Sequence, residues 1–252
     1  RGRFPLTDRA DAYRHIAAHY ELHGCDWYAH TFGPRLLHLL EERGYAKSRV
    51  LDAGCGTGTL ALSLSREGHE VMGIDLSKPM LDIARTKDPE GRVAWKEADV
   101  TNFDLGVKPL DVVTCVGDTL NHLPLIDEWE SAFRLFAQHL RPGGALYFDV
   151  MTRKGLEWLD TYQVIDRDNR VLILGFIYEP ATGRSTMKLT SFRRVDGSMY
   201  ERVSDTVTEW GQPVASIFEV LERSGFKDAE RLWARAEQPE DDERLTVIAT
   251  RA

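Results

Sequence analysis

The chain is poor in cysteine. Cys25, Cys55 and Cys115 are odd in number, far apart and not set in metal-ligand pairs. That argues against a disulfide framework or a zinc site and favours a reducing, cytoplasmic setting. Long apolar runs are missing too: the best, Val171 to Tyr178, is too short to span a bilayer, so no membrane partner is expected. No charged-then-apolar leader opens the sequence. There is no excess of basic charge either. Thirty-two Lys and Arg stand against 40 Asp and Glu, a formal net charge of −8, which argues against a broad nucleic-acid-binding face. No histidine and carboxylate set has convincing metal spacing, so a metal-free site is expected.

What is present suits one large domain, or a domain with an insertion: 252 residues, 42% of them hydrophobic. Between about 50 and 150, strands alternate with helices, the pattern of a parallel sheet covered on both faces. Strands are expected at Val50 to Ala53, Glu70 to Ile74, Arg92 to Lys96, Leu110 to Val116 and Ala145 to Val150. Ser77 is expected to cap one intervening helix, and Asp127 with Glu130 to form a capping box on another. Residues 163–210 read as an antiparallel meander, with turn signals at Ala181-Thr182-Gly183 and Asp196-Gly197. Pro213 opens a further helix, and two final strands follow at Phe226 to Ala234 and Arg244 to Thr250. Residues 1–49 read as mostly helical, with Tyr13, Tyr20, Trp27, Tyr28 and Phe32 gathered ahead of a leucine stripe at Leu36 to Leu40.

The most informative stretch is Val50-Leu51-Asp52-Ala53-Gly54-Cys55-Gly56-Thr57-Gly58-Thr59-Leu60. It reads as a buried strand, a tight glycine turn and a helix start. Glycine lets a ligand approach bare backbone, and a helix start offers free N–H groups. The dinucleotide spacing G-x-G-x-x-G fails here, because its third glycine would be Thr59. The phosphate-loop pattern fails as well, because no Gly-Lys-Ser/Thr closes the turn.

This D-x-G-x-G-x-G run after a hydrophobic strand resembles the first motif of the class I S-adenosylmethionine-dependent methyltransferases. Leu140-Arg141-Pro142-Gly143-Gly144 and Leu221-Glu222-Arg223-Ser224-Gly225-Phe226 also match that family, and the likeness covers roughly residues 48–152 and 213–252. It implies a doubly wound, seven-stranded, mostly parallel sheet in a Rossmann-like α/β fold. The whole chain is then a single methyltransferase domain. Residues 1–49 form a helical cap, 50–152 the cofactor-binding core, 163–210 an antiparallel insertion and 213–252 the completion of the sheet.

The resemblance implies S-adenosyl-L-methionine as cofactor and S-adenosyl-L-homocysteine as product. Ligands of such sheets bind beyond the carboxyl ends of the strands. Asp75 falls where an acidic residue takes both ribose hydroxyls. Asp99 and Val100 fall against the adenine, with Leu76 and Met80 on its flat faces. Asp52, the Gly54-Cys55-Gly56 turn and Gly117 face the methionine end. Tyr20, followed by Glu21 where many members carry Asp, falls where a tyrosine reaches the cofactor carboxylate.

Acceptor-side candidates follow the fourth strand. His122 titrates in a range suited to a base, Asn121 is placed to orient an acceptor, and Trp27 is expected in the acceptor pocket. Asp118 is a candidate for serving the cofactor instead, and Asp149, at the end of the fifth strand, is a further candidate base. The acceptor is expected to be a small molecule methylated at nitrogen or oxygen. The meander either roofs its pocket or forms a subunit contact, as in a homodimer. The alternatives are a catalytically silent member that binds the cofactor or a partner, and an enzyme acting on RNA or protein.

Overall fold

The computed structural model describes residues 12–106 and 109–252. Eleven strands and six α-helices are formed among them. The sequence reading of residues 1–11 as part of a helical cap lies outside the described residues.

The main sheet has seven strands, arranged β10-β11-β5-β4-β1-β2-β3. Strand β1 is Arg49–Ala53, β2 Glu70–Asp75, β3 Val93–Glu97, β4 Leu110–Cys115 and β5 Leu140–Met151. Strands β10 (Phe226–Leu232) and β11 (Arg244–Arg251) complete it. Pairings of β1 with β2 and β4, of β2 with β3 and of β4 with β5 are parallel. Only β11 runs against its neighbours within this sheet. The switch in strand order falls between β1 and β4, so the ends of these strands open a crevice there.

Burial on both faces explains the continuous apolar character of the central strands. Successive side chains of β5 go to opposite faces. Phe148 joins Trp129, Phe133 and Phe136 of α4 (Ile126–His139) and Ile217 and Leu221 of α6 (Val214–Arg223). Tyr147 joins Leu36 and Leu40 of α1 (Trp27–Glu42) and Leu60 and Leu64 of α2 (Thr59–Arg66) on the other face. All these side chains are essentially excluded from water.

Helix α3 (Lys78–Lys87) follows β2. Ser77 sits at its N-cap, but its hydroxyl makes no capping bond, and the capping box expected at Asp127 and Glu130 is displaced. The N-cap of α4 is Leu125, whose N–H donates to Glu128 at 3.2 Å. Glu130 pairs with Arg134 and Arg223 instead.

After α5 (Arg153–Trp158) the expected meander appears as a second, four-stranded antiparallel sheet, β6 Tyr162–Arg167, β7 Arg170–Glu179, β8 Arg184–Asp196 and β9 Met199–Trp210. The N-terminal segment packs on it. Asp205 of β9 accepts from the N–H groups of His15 (2.9 Å) and Ile16 (2.7 Å). Ser191 of β8 is shared by His19 Nδ1 (2.7 Å) and His23 Nε2 (2.6 Å). No helix among the described residues is long and apolar enough to cross a membrane.

Candidate active site

The turn after β1 is fixed by β2. Ile74 C=O accepts from the N–H groups of both Gly54 (2.8 Å) and Cys55 (3.0 Å). Gly54 has φ +74°, and a Cβ there would lie 2.3 Å from the Thr119 side chain, so no other residue fits. Gly56 differs: at φ +52° a Cβ would meet nothing within 4 Å. Its bare backbone borders open space, the property a close-bound ligand requires.

A crevice runs along the strand ends from this turn. Gly54 and Gly56 line it after β1, Asp75 at the end of β2 with Leu76 and Met80 beyond it, and Asp99 and Val100 after β3. Gly117 and His122 line it after β4, and Tyr20 closes it from above. Asp75 braces the turn: Oδ2 accepts from Gly56 N–H and Oδ1 from Ser77 N–H, both at 2.8 Å. Burial raises its pKa, opposed by those N–H groups. Asp99 Oδ1 accepts from the Thr101 N–H and hydroxyl, both at 2.8 Å.

Three sequence-stated candidates are placed elsewhere. Asp52 does not line the crevice. Its side chain is enclosed beneath the turn and accepts from the Thr114 hydroxyl at 2.7 Å, and burial pushes its carboxyl up to about 7. Cys55 turns its sulfur away, toward Gly73. Asn121 is fully buried and clamps chain segments: its Nδ2 donates to the carbonyls of Met151 (2.9 Å) and Trp210 (3.2 Å), and its Oδ1 accepts from Met151 N–H (2.9 Å). An amide with all these partners leaves nothing for an acceptor.

At Tyr13, Tyr20 and Gly117 the crevice opens into a second chamber of about 720 Å³, within the ~300–1,000 Å³ of pockets that enclose small molecules. Trp27 lines this chamber, with Tyr28, Phe32 and Trp233. At the junction the Tyr13 hydroxyl lies 3.3 Å from His122 Nε2, and His122 Nδ1 lies 3.3 Å from the Thr208 carbonyl. A carbonyl only accepts, so Nδ1 carries the proton there and a neutral ring takes the Tyr13 O–H at Nε2. Burial raises the pKa of both Tyr13 and Tyr20, so they act as neutral hydroxyls.

Sequence reasoning missed Tyr13 as a lining residue, and also Arg244 and Glu209. Arg244 lies over the rings of Trp27 (5.3 Å) and Tyr28 (5.4 Å). It pairs with Asp118 at 2.6 Å and 3.0 Å and closely with Asp149. Burial alone would lower its pKa, but Asp118 and Asp149 outweigh that and raise it. Asp149 also accepts from Gly117 N–H at 2.7 Å. Asp118 adopts φ +66°, a conformation Asp tolerates better than most residues. A signal for Glu209 was present in alternation. Asp205, Val207 and Glu209 share one face of β9, and the first two are buried. Charge on an inward face is the informative case.

A family model described as a methyltransferase domain matches residues 50–144. YqeM of Bacillus subtilis (strain 168), named as a methyltransferase, is 31% identical over 190 residues, covering 72% of this chain and 74% of that one. The ubiquinone biosynthesis O-methyltransferase of Escherichia coli O7:K1 (strain IAI39 / ExPEC) is 35% identical over 135 residues, covering 52% of this chain and 55% of that one. Among solved structures, CalS10 of Micromonospora echinaspora, an amino pentose methyltransferase with S-adenosylmethionine bound, superposes with a TM-score of 0.71 at 21% identity. That superposition covers 100% of this chain and 99% of that one.

Proposed function

Because this chain belongs to the S-adenosylmethionine-dependent methyltransferases, we propose that it methylates a nitrogen or oxygen of a small-molecule acceptor held in the larger chamber. The continuity of crevice and chamber at Tyr13, Tyr20 and Gly117 carries this reading, because donor and acceptor must meet in line. The O-methyltransferase and amino pentose methyltransferase relatives are consistent with either acceptor atom. In this reading the whole chain works as one methyltransferase unit.

The crevice suits the cofactor chemically. Gly56 offers bare backbone, Asp75 a carboxylate for ribose hydroxyls, and Asp99 with Val100 an acceptor and an apolar wall for adenine. Leu76 and Met80 supply apolar surface for the base. Gly117 and Tyr20 are assigned the methionine end. When bound, the sulfonium supplies an already activated methyl group. The protein's own contribution is then alignment and exclusion of water. His122 faces the acceptor, with its orientation fixed by Tyr13 and Thr208.

The test is transfer from isotopically labelled methyl donor to pooled small-molecule amines and alcohols, with bulk RNA and protein as separate pools. Label in a small-molecule pool supports the reading. Label only in RNA or protein, or in no pool, contradicts it.

A further inference from the structure

Glu209 lines the chamber close to the junction: Thr208, its neighbour in β9, holds His122 through its carbonyl. The side chain is half-buried and faces the chamber, and among the described residues no group hydrogen-bonds or ion-pairs with it. Arg244, the guanidinium whose charge acts on it, is committed to Asp118 and Asp149. Two carboxyls thus share one fixed cation, and Glu209 faces the chamber beside them without a cation of its own. Arg35 and Arg235 line the same chamber, but Arg35 lies over Phe32 and Trp233 at 5.5 and 5.7 Å, and neither pairs with Glu209. An unpartnered carboxyl that faces a cleft, with like charges beside it, is a candidate functional group.

We propose that the acceptor is an amine and that Glu209 receives the proton its ammonium form must lose before methyl transfer. This deepens the small-molecule reading above and rests on it. A cationic acceptor favours the ionised carboxylate that can then take its proton, whereas a neutral hydroxyl would leave the carboxyl protonated. The ammonium gives one proton to the Glu209 carboxylate. The freed nitrogen lone pair forms the new N–C bond while the methyl C–S bond breaks, and that bonding pair stays on sulfur. The methylated amine leaves as a cation, and the proton on Glu209 passes to solvent. Burial pushes Glu209 up to about 8, with Asp118 adding to the shift and Arg244 opposing it. That value lies near the ~8 of a weakly basic amine, which suits proton exchange between the two.

Sinefungin provides a probe that needs no knowledge of the acceptor. It is an S-adenosylhomocysteine analogue with a primary ammonium where the transferred methyl would sit. It and S-adenosylhomocysteine are titrated calorimetrically into wild type, Glu209→Gln and Glu209→Asp, in two buffers of different ionisation enthalpy at neutral pH. The groups facing Glu209 (Tyr13, Asp118, Asp149 and Arg244) remain in every variant. The wild-type preference for sinefungin is expected to fall by about tenfold in Glu209→Gln, the scale of one charge-assisted hydrogen bond. S-adenosylhomocysteine affinity should stay within about twofold, since that ligand presents no charge to Glu209. Wild type should also release a proton on binding sinefungin, as Glu209 ionises; Glu209→Gln should not, and Glu209→Asp should retain part of the release. The same preference and proton release in wild type and Glu209→Gln would overturn the proposal. Binding of neither analogue to wild type would instead overturn the methyltransferase site itself. Should Glu209→Gln fail to fold, a ¹³C titration of the wild-type Glu209 carboxyl decides. A pKa drop with sinefungin supports the role, and an unmoved titration overturns it.

Discussion

Asn121 shows how residue type and position can mislead about role. A polar residue just after a strand end is a natural candidate for binding, and only the direction of its side chain assigns it to structure. Its amide ties β5 to the end of β9, joining the two sheets beside the cleft. Asn121→Ala leaves the Met151 N–H and two carbonyls without their partner. The expected cost is about 2–4 kcal/mol of stability, measured by denaturant unfolding, with S-adenosylhomocysteine affinity changed far less. A large affinity loss with intact stability would return Asn121 to the binding site. Asp52 and Cys55 were misplaced for the same reason. Both belong to the glycine-turn motif, but the motif specifies backbone shape, while packing decides where each side chain goes. Asp75, Asp99 and Val100 were legible as crevice-lining positions because they lie at or just past the ends of their strands, where side chains face the crevice.

The central strands were readable as elements because burial on both faces produces uninterrupted apolar runs. The first strand, the helix start after the glycine turn and the meander lie where period and turn residues placed them. What the sequence did not disclose is how the N-terminal segment is held, because its partners are far away in the chain. Asp205 binds it across 190 and 189 positions through the His15 and Ile16 N–H groups. Tyr13 and Tyr20 flank these contacts and roof the crevice. Asp205→Ala should therefore release the roof without disturbing the main sheet. Amide exchange in residues 13–23 is expected to accelerate by about tenfold or more, since local opening has its own free energy. S-adenosylhomocysteine affinity should fall alongside it. Unchanged exchange there would show that other contacts hold the segment.

At the scale of the whole molecule, two sheets and an N-terminal segment converge on one cleft. The parallel sheet contributes strand ends, bare glycine backbone and acids. The antiparallel sheet contributes Glu209, and the last strand contributes Arg244. The crevice at the strand ends was visible in the sequence, because its lining residues follow one another along a single run of strands. Of the larger chamber and its junction only His122 and Trp27 were read beforehand; Tyr13, Glu209 and Arg244 were not, because they come from distant parts of the chain and meet only after folding.

The central claim is that the glycine turn and the acids at the strand ends hold an adenosyl amino acid. Calorimetric titration of S-adenosylhomocysteine and NAD into wild type and Asp75→Ala tests it most directly. The account predicts saturable binding of S-adenosylhomocysteine, none of NAD, and a loss of about 1–3 kcal/mol in the variant from lost charge-assisted hydrogen bonds. Equal binding of both ligands, or an Asp75→Ala affinity matching wild type, would contradict it.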